Sequence, residues 1–199
     1  MANRPLERSV DSLQKVYAVI IALAIGRTVQ EVFSGSNWSE MIESFHRTAP
    51  ALLSFFLIVV PFYQGMNRHL DVTYTEKSTD YSKIGLLLDF FFFCIIASLL
   101  FLFASFLKLG KESFIVLGIA LAVDIFWALM SHLINYRHRR PSTISWAAVN
   151  FLTLIAGIFI YVYDGNISIN VMWVLFILLL TRTVADYILM QSYYFPETD

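Results

Sequence analysis

Apolar positions gather into six blocks along the chain, about Val16 to Phe33, Ala51 to Gly65, Ile84 to Leu107, Phe114 to Leu133, Ile144 to Tyr163 and Ile169 to Met190. They come as continuous runs rather than as amphipathic stripes. Most approach 20 residues, the length an α-helix needs to cross about 30 Å of hydrocarbon at 1.5 Å per residue. The pattern predicts an all-α, polytopic membrane protein, with residues 1–199 forming a single six-helix transmembrane domain. Polar stretches separate the blocks: Ser34 to Pro50, Met66 to Lys83, Lys108 to Ser113, Asn135 to Thr143 and Asp164 to Ser168. The connections after the third and fifth blocks are so short that spans 3 and 4, and spans 5 and 6, must be antiparallel neighbours. Thr48-Ala49-Pro50 reads as the start of the second helix, with Thr48 as cap and Pro50 where a missing N–H costs nothing. On that reading span 2 carries a kink near Pro61 and continues past Gly65 towards Leu70.

Composition agrees with the pattern and narrows the function. Hydrophobic residues make up 58% of the chain and charged residues 15%, where about 25% charged is usual in a soluble domain. A net charge of −1 gives no basic surplus for a phosphate backbone, so nucleic acid is not an expected partner. The one cysteine, Cys94, sits in an apolar run and excludes an intrachain disulfide or a cysteine-based metal cluster. His46, His69, His132 and His138 are too scattered for a metal spacing and read as surface or interfacial residues. No His-Glu-x-x-His, Gly-x-Ser-x-Gly or phosphate-cradling loop occurs, and Asp164-Gly165 alone is an ordinary turn. Neither an enzyme nor a cofactor-binding protein is expected.

Lysine and arginine distribute unevenly over the two sides that six spans create. Arg4, Arg8, Lys15, Arg68, Lys77, Lys83, Arg137, Arg139 and Arg140 share one side; Arg47, Lys108 and Lys111 take the other. Because cytoplasmic loops are enriched in these residues, both termini are expected in the cytoplasm. Ala22-Leu23-Ala24 superficially suits a signal-peptidase site, but the apolar segment continues to Phe33, which favours a retained first span. The run Arg137 to Arg140 reads as an orientation signal that also suits anionic lipid. Tyr136, Tyr161, Tyr163, Trp38 and Trp173 stand near span ends, as interface anchors do.

Six charged residues fall within the spans: Arg27 and Glu31 in the first, Asp89 in the third, Asp124 in the fourth, Arg182 and Asp186 in the sixth. Each costs about 2.5 to 3.5 kcal/mol on insertion scales, so each needs a partner, water or a function. Depth along the helices brings Arg27 level with Asp124 and Arg182 level with Asp89, while Asp186 follows Arg182 by one turn. The expected pairs are therefore Arg27 with Asp124, and Arg182 with Asp89 or Asp186. Such pairs serve either as locks of a bundle or as a functional charge network. Their sum of −2 when all are ionised favours a cation in any shared aqueous cavity.

In the first span the chain resembles the transmembrane-protein-175 family of prokaryotic and endolysosomal potassium channels. That family opens with an arginine, three residues and Phe-Ser-Asp, then a helix reading roughly Val-Phe-Ala-Ile. Here Arg8 is followed at matching spacing by Ser12-Leu13-Gln14, and then by Val16-Tyr17-Ala18-Val19-Ile20. Ser54-Phe55 is similar to the family's second helix, and Asp89-Phe90-Phe91-Phe92-Phe93 to its third, with Asp in place of Asn. The resemblance implies an oligomer of six-helix units around a pore lined by the first helix, narrowed at the position of Val19. Helical spacing then sets Val19, Leu23, Gly26 and Gln30 towards the axis, with Ala22 beside them. Small residues such as Ala22 and Gly26 equally suit close helix packing.

Three functions follow as expectations: a homo-oligomeric channel for a monovalent, potassium-type cation in a bacterial inner membrane; a non-conducting scaffold or partner subunit; and a proton-linked transporter using Asp89 or Asp124.

Overall fold

The computed structural model describes residues 4–33, 37–75, 83–107, 111–134, 141–163 and 171–195. Its helices are α1 (Arg4–Val32), α2 (Trp38–Leu70), α3 (Lys83–Phe106), α4 (Lys111–Ile134), α5 (Pro141–Tyr163), α6 (Val171–Leu189) and the short α7 (Gln191–Tyr194). Six of them are long and apolar enough to span a membrane, so the chain is an all-α membrane bundle. Lys77, Lys108, Tyr136, His138, the run Arg137 to Arg140 and the Asp164-Gly165 turn lie outside the described residues.

Two helix starts differ from the sequence reading. α1 begins at Arg4, well before the apolar block, because Leu6, Val10, Leu13 and Tyr17 continue the buried stripe that Ile21, Ala24, Thr28 and Val32 form further on. The intervening polar residues face outwards, and Lys15 pairs with Asp11 one turn earlier at 2.6 Å. This opening is amphipathic, so it lacks the continuous apolar run that marks a span. α2 begins at Trp38, where the Asn37 side chain accepts the Glu40 N–H at 3.0 Å. Thr48-Ala49-Pro50 is thus not a helix start; Pro50 sits inside the helix.

α2 runs through Pro61 to Leu70 and continues as a π-helical turn, Asp71–Thr75. Much of the stretch expected as a polar connection is therefore helical. Pro61 cannot donate to the Leu57 carbonyl one turn earlier. The Thr183 hydroxyl of α6 donates to that carbonyl instead, at 2.6 Å. This answers the demand that every backbone group in hydrocarbon find a partner.

Neighbouring helices close into a ring in the order α1, α3, α4, α5, α6, α2 and back to α1. The short links hold spans 3 and 4, and 5 and 6, side by side as expected. α2 is the most enclosed of the six. Phe55, Phe62, Phe93, Phe103, Ile96 and Leu100 are fully buried and fill the middle of the ring. An aromatic series crosses it: Tyr17 stacks on Tyr63 at 5.7 Å between centroids, and Phe93 lies 6.2 Å from Tyr17 and 5.3 Å from Trp127. Six crossings place both chain ends on one face, called here the terminal face.

Candidate functional site

Of the six intramembrane charges, four are sealed inside the bundle and two remain open on its outside. The sealed ones form two separate centres.

Asp89, early in α3, is the hub of the first. His69 from the last turn of α2 meets its Oδ2 through Nε2 at 2.9 Å, and the Tyr74 hydroxyl donates to the same oxygen at 2.6 Å. The Trp127 indole of α4 donates to Oδ1 at 2.8 Å. The π-helical turn makes this possible by carrying Tyr74 round to Asp89, and it is itself held by Gln14 of α1, which donates to Asp71 at 3.0 Å. Both carboxylate oxygens have partners, which is the condition for burying such a group. His69, expected at a surface or interface, is buried in this network. Arg182 takes no part in it, because Asp89 is occupied from α2 and α4.

The second centre joins α4, α5, α6 and α7. Asn150 stands between a base and an acid: its Oδ1 accepts from Arg182 Nε and Nη2 at 3.0 and 2.9 Å, and its Nδ2 donates to Asp124 Oδ2 at 2.5 Å. Arg182 Nη1 approaches Asp186 Oδ2 at 3.6 Å, and the guanidinium lies 5.1 Å from the Phe62 ring centroid. The pairing of Arg182 with Asp186 is thus one of the two alternatives expected. Tyr194 of α7 donates to Asp186 Oδ2 at 3.0 Å. Burial and the adjacent Asp186 carboxylate push the Tyr194 phenol far above its usual range, so it stays a donor. Several buried atoms here have no hydrogen-bond partner: Asp124 Oδ1, Asp186 Oδ1, Arg182 Nη1 and Trp146 Nε1.

Arg27 does not reach Asp124. It pairs with Glu31 on its own helix at 2.5 Å, donates to Gln30 at 3.2 Å and donates to Ser105 of α3 at 3.3 Å. The two do not lie at equal depth: the α1 residue beside Asp124 is Tyr17, about 15 Å before Arg27 along the helix, and Arg27 meets Ser105 near the end of α3 instead. The Arg27 and Glu31 side chains remain 36% and 20% exposed, whereas the four sealed residues are buried.

Beside this open pair runs the outer face of α1. Val19 is 61% and Leu23 59% exposed; Ala22, Gly26 and Gln30 are exposed with them, and a Cβ on Gly26 would meet no other described side chain or helix within 4 Å. The five residues expected towards an axis therefore share one uncovered surface and line no channel within a single copy. α1 is also the least apolar of the six spans.

Sequence reasoning missed Asn150, Trp127, Trp146 and Thr183. A lone amide in the middle of an apolar span was the available signal for Asn150, since an unpaired amide is costly there. No family model, curated protein or solved structure matches the chain.

Proposed function

We propose that the chain is one subunit of a homo-oligomeric, potassium-type cation channel in which α1 faces the axis, with both termini in the cytoplasm of a bacterium. One observation carries this reading: the open intramembrane charges, Arg27 and Glu31, both lie on α1, at the end of the uncovered stripe from Val19 to Gln30. A polar helix face is unfavourable against lipid tails, and it is relieved by water or by another copy. The filled middle of the ring favours a path between copies over one through a single copy. Val19 and Leu23 would supply an apolar narrowing able to gate by dewetting, with Gln30 and Glu31 offering oxygen atoms to a cation beyond it. The chain acts as conductor rather than as enzyme.

A second reading, a non-conducting scaffold or partner subunit, draws on the two sealed centres, which tie five of the six spans together without any pore. Purified protein in liposomes separates the two. The channel reading expects potassium uptake driven by a potassium gradient and scaling with protein density. Absence of flux from folded, reconstituted protein leaves the scaffold.

A further inference from the structure

Asp124, Asp186 and Arg182 are buried together with two carboxylates to one guanidinium. Fully ionised, the group holds one uncompensated negative charge in the middle of a bundle, which a low dielectric strongly disfavours. The surrounding contacts say which carboxylate is left over. Arg182 is committed to Asn150 and leans on Asp186, and Asp186 also receives the Tyr194 hydroxyl. Asp124 is linked to that cation only through the neutral amide of Asn150, and its Oδ1 has no partner. The Trp146 indole approaches Asp124 without completing a hydrogen bond. From α1 the Tyr17 hydroxyl, buried and also unpartnered, is an electrostatic neighbour of the same carboxyl.

We propose that Asp124 is a binding site for one exchangeable proton, carried on its free Oδ1 in the middle of the subunit. The proton removes the excess charge, while Oδ2 keeps its bond from Asn150. Among the described residues no three His, Cys, Asp or Glu side chains converge as metal ligands would, so a proton suits the site better than a coordinated metal ion. The titratable and charged groups around it are Tyr17 from α1, Arg182 and Asp186 from α6 and, through Asp186, Tyr194 from α7. On α2 and α3, His69 and Asp89 are engaged with each other. Trp146, Met190 and Tyr194 pack together over the terminal-face side, so exchange with water is expected to depend on α7.

Infrared spectroscopy of the full chain in lipid bilayers tests this, and it needs no conduction, so its outcome is independent of the channel reading. The expected result is a protonated-carboxyl C=O band at neutral pH that shifts in heavy water, titrates away at alkaline pH and disappears in Asp124→Asn, whereas Asp186→Asn, which removes the competing carboxylate and with it the excess charge, moves the loss of the band to lower pH. By linkage, a proton held more firmly in the folded than in the unfolded state contributes stability that is lost as pH rises and the proton leaves. Wild-type melting temperature should fall over the pH range in which the band vanishes, and that of Asp124→Asn should stay level there. Should Asp124→Asn not fold, carboxyl-labelled aspartate gives a second test: the label shifts the wild-type band and leaves the corresponding band of Asp124→Glu unmoved. No band at any pH at which the protein is folded, a band that survives Asp124→Asn, or a site that responds to sodium and not to pH would overturn the proposal.

Discussion

Pro61 and Thr183 show how a single side chain corrects a defect written elsewhere in the chain. The Thr183 hydroxyl stands in for the N–H that Pro61 lacks, donating to the Leu57 carbonyl across the α2 and α6 interface. Thr183→Val should cost about 1 kcal/mol, in the range of hydrogen bonds inside membrane bundles. In a Pro61→Ala background, where the helix recovers its own donor, the same substitution should cost almost nothing. Unfolding in mixed micelles measures this cycle; equal costs in both backgrounds would show that Thr183 acts through packing alone. Neither Pro61 nor Thr183 advertises the other in the sequence, because Thr183 and the Leu57 carbonyl it serves are 126 positions apart and a threonine in an apolar span has many uses. The same limit governed the charges. Spacing along one helix is readable, so the approach of Arg182 to Asp186, one turn apart, is one of the two alternatives expected, while its alternative Asp89 is taken by other groups. Depth counted from the apolar blocks misleads where a helix starts earlier: α1 begins at Arg4, so Arg27 lies about 15 Å beyond the level of Asp124 and pairs with Glu31 on its own face.

Among elements, α2 carries the most information. Gly65 lets Trp146 of α5 lie directly against the helix backbone: a Cβ on Gly65 would fall 1.6 Å from the indole Cη2. Gly65→Ala should therefore push the indole away and destabilise the bundle by about 1 to 3 kcal/mol, as overpacking does. Combining it with Trp146→Phe should cost less than the two separate losses added together. Strict additivity in thermal unfolding would mean that the two positions do not meet. The extent of the apolar blocks was legible because hydrocarbon tolerates few alternatives to a helix of that length. Helix starts were not, since the opening of α1 and the stretch from Trp38 to Pro50 are polar enough to resemble loops. The π-helical turn after Leu70 was likewise hidden: its role lies in where it carries Tyr74, and only the folded neighbourhood of Asp89 reveals that.

At the scale of the molecule, the distribution of lysine and arginine over six spans supports the proposed orientation, with both termini in the cytoplasm. Cysteines introduced at Ser36 and Asn166 in a Cys94→Ala chain should react with an impermeant thiol reagent only from outside the cell; labelling from the cytoplasmic side alone would invert the bundle. The ring order of the helices was not legible beyond its two short links, because longer connections allow many arrangements of the same spans. That order decides the functional argument: it turns the Val19 face of α1 outwards and seals Asp89, Asp124, Arg182 and Asp186 within. The most direct test of an axis lined by α1 is current through planar bilayers from Val19→Cys in the Cys94→Ala chain, with Ile158→Cys on the exposed face of α5 as its counterpart. A small cationic methanethiosulfonate reagent should reduce potassium current through Val19→Cys several-fold and leave Ile158→Cys unchanged. Currents equally insensitive at both positions, or no current from either protein, would contradict a conducting path along α1.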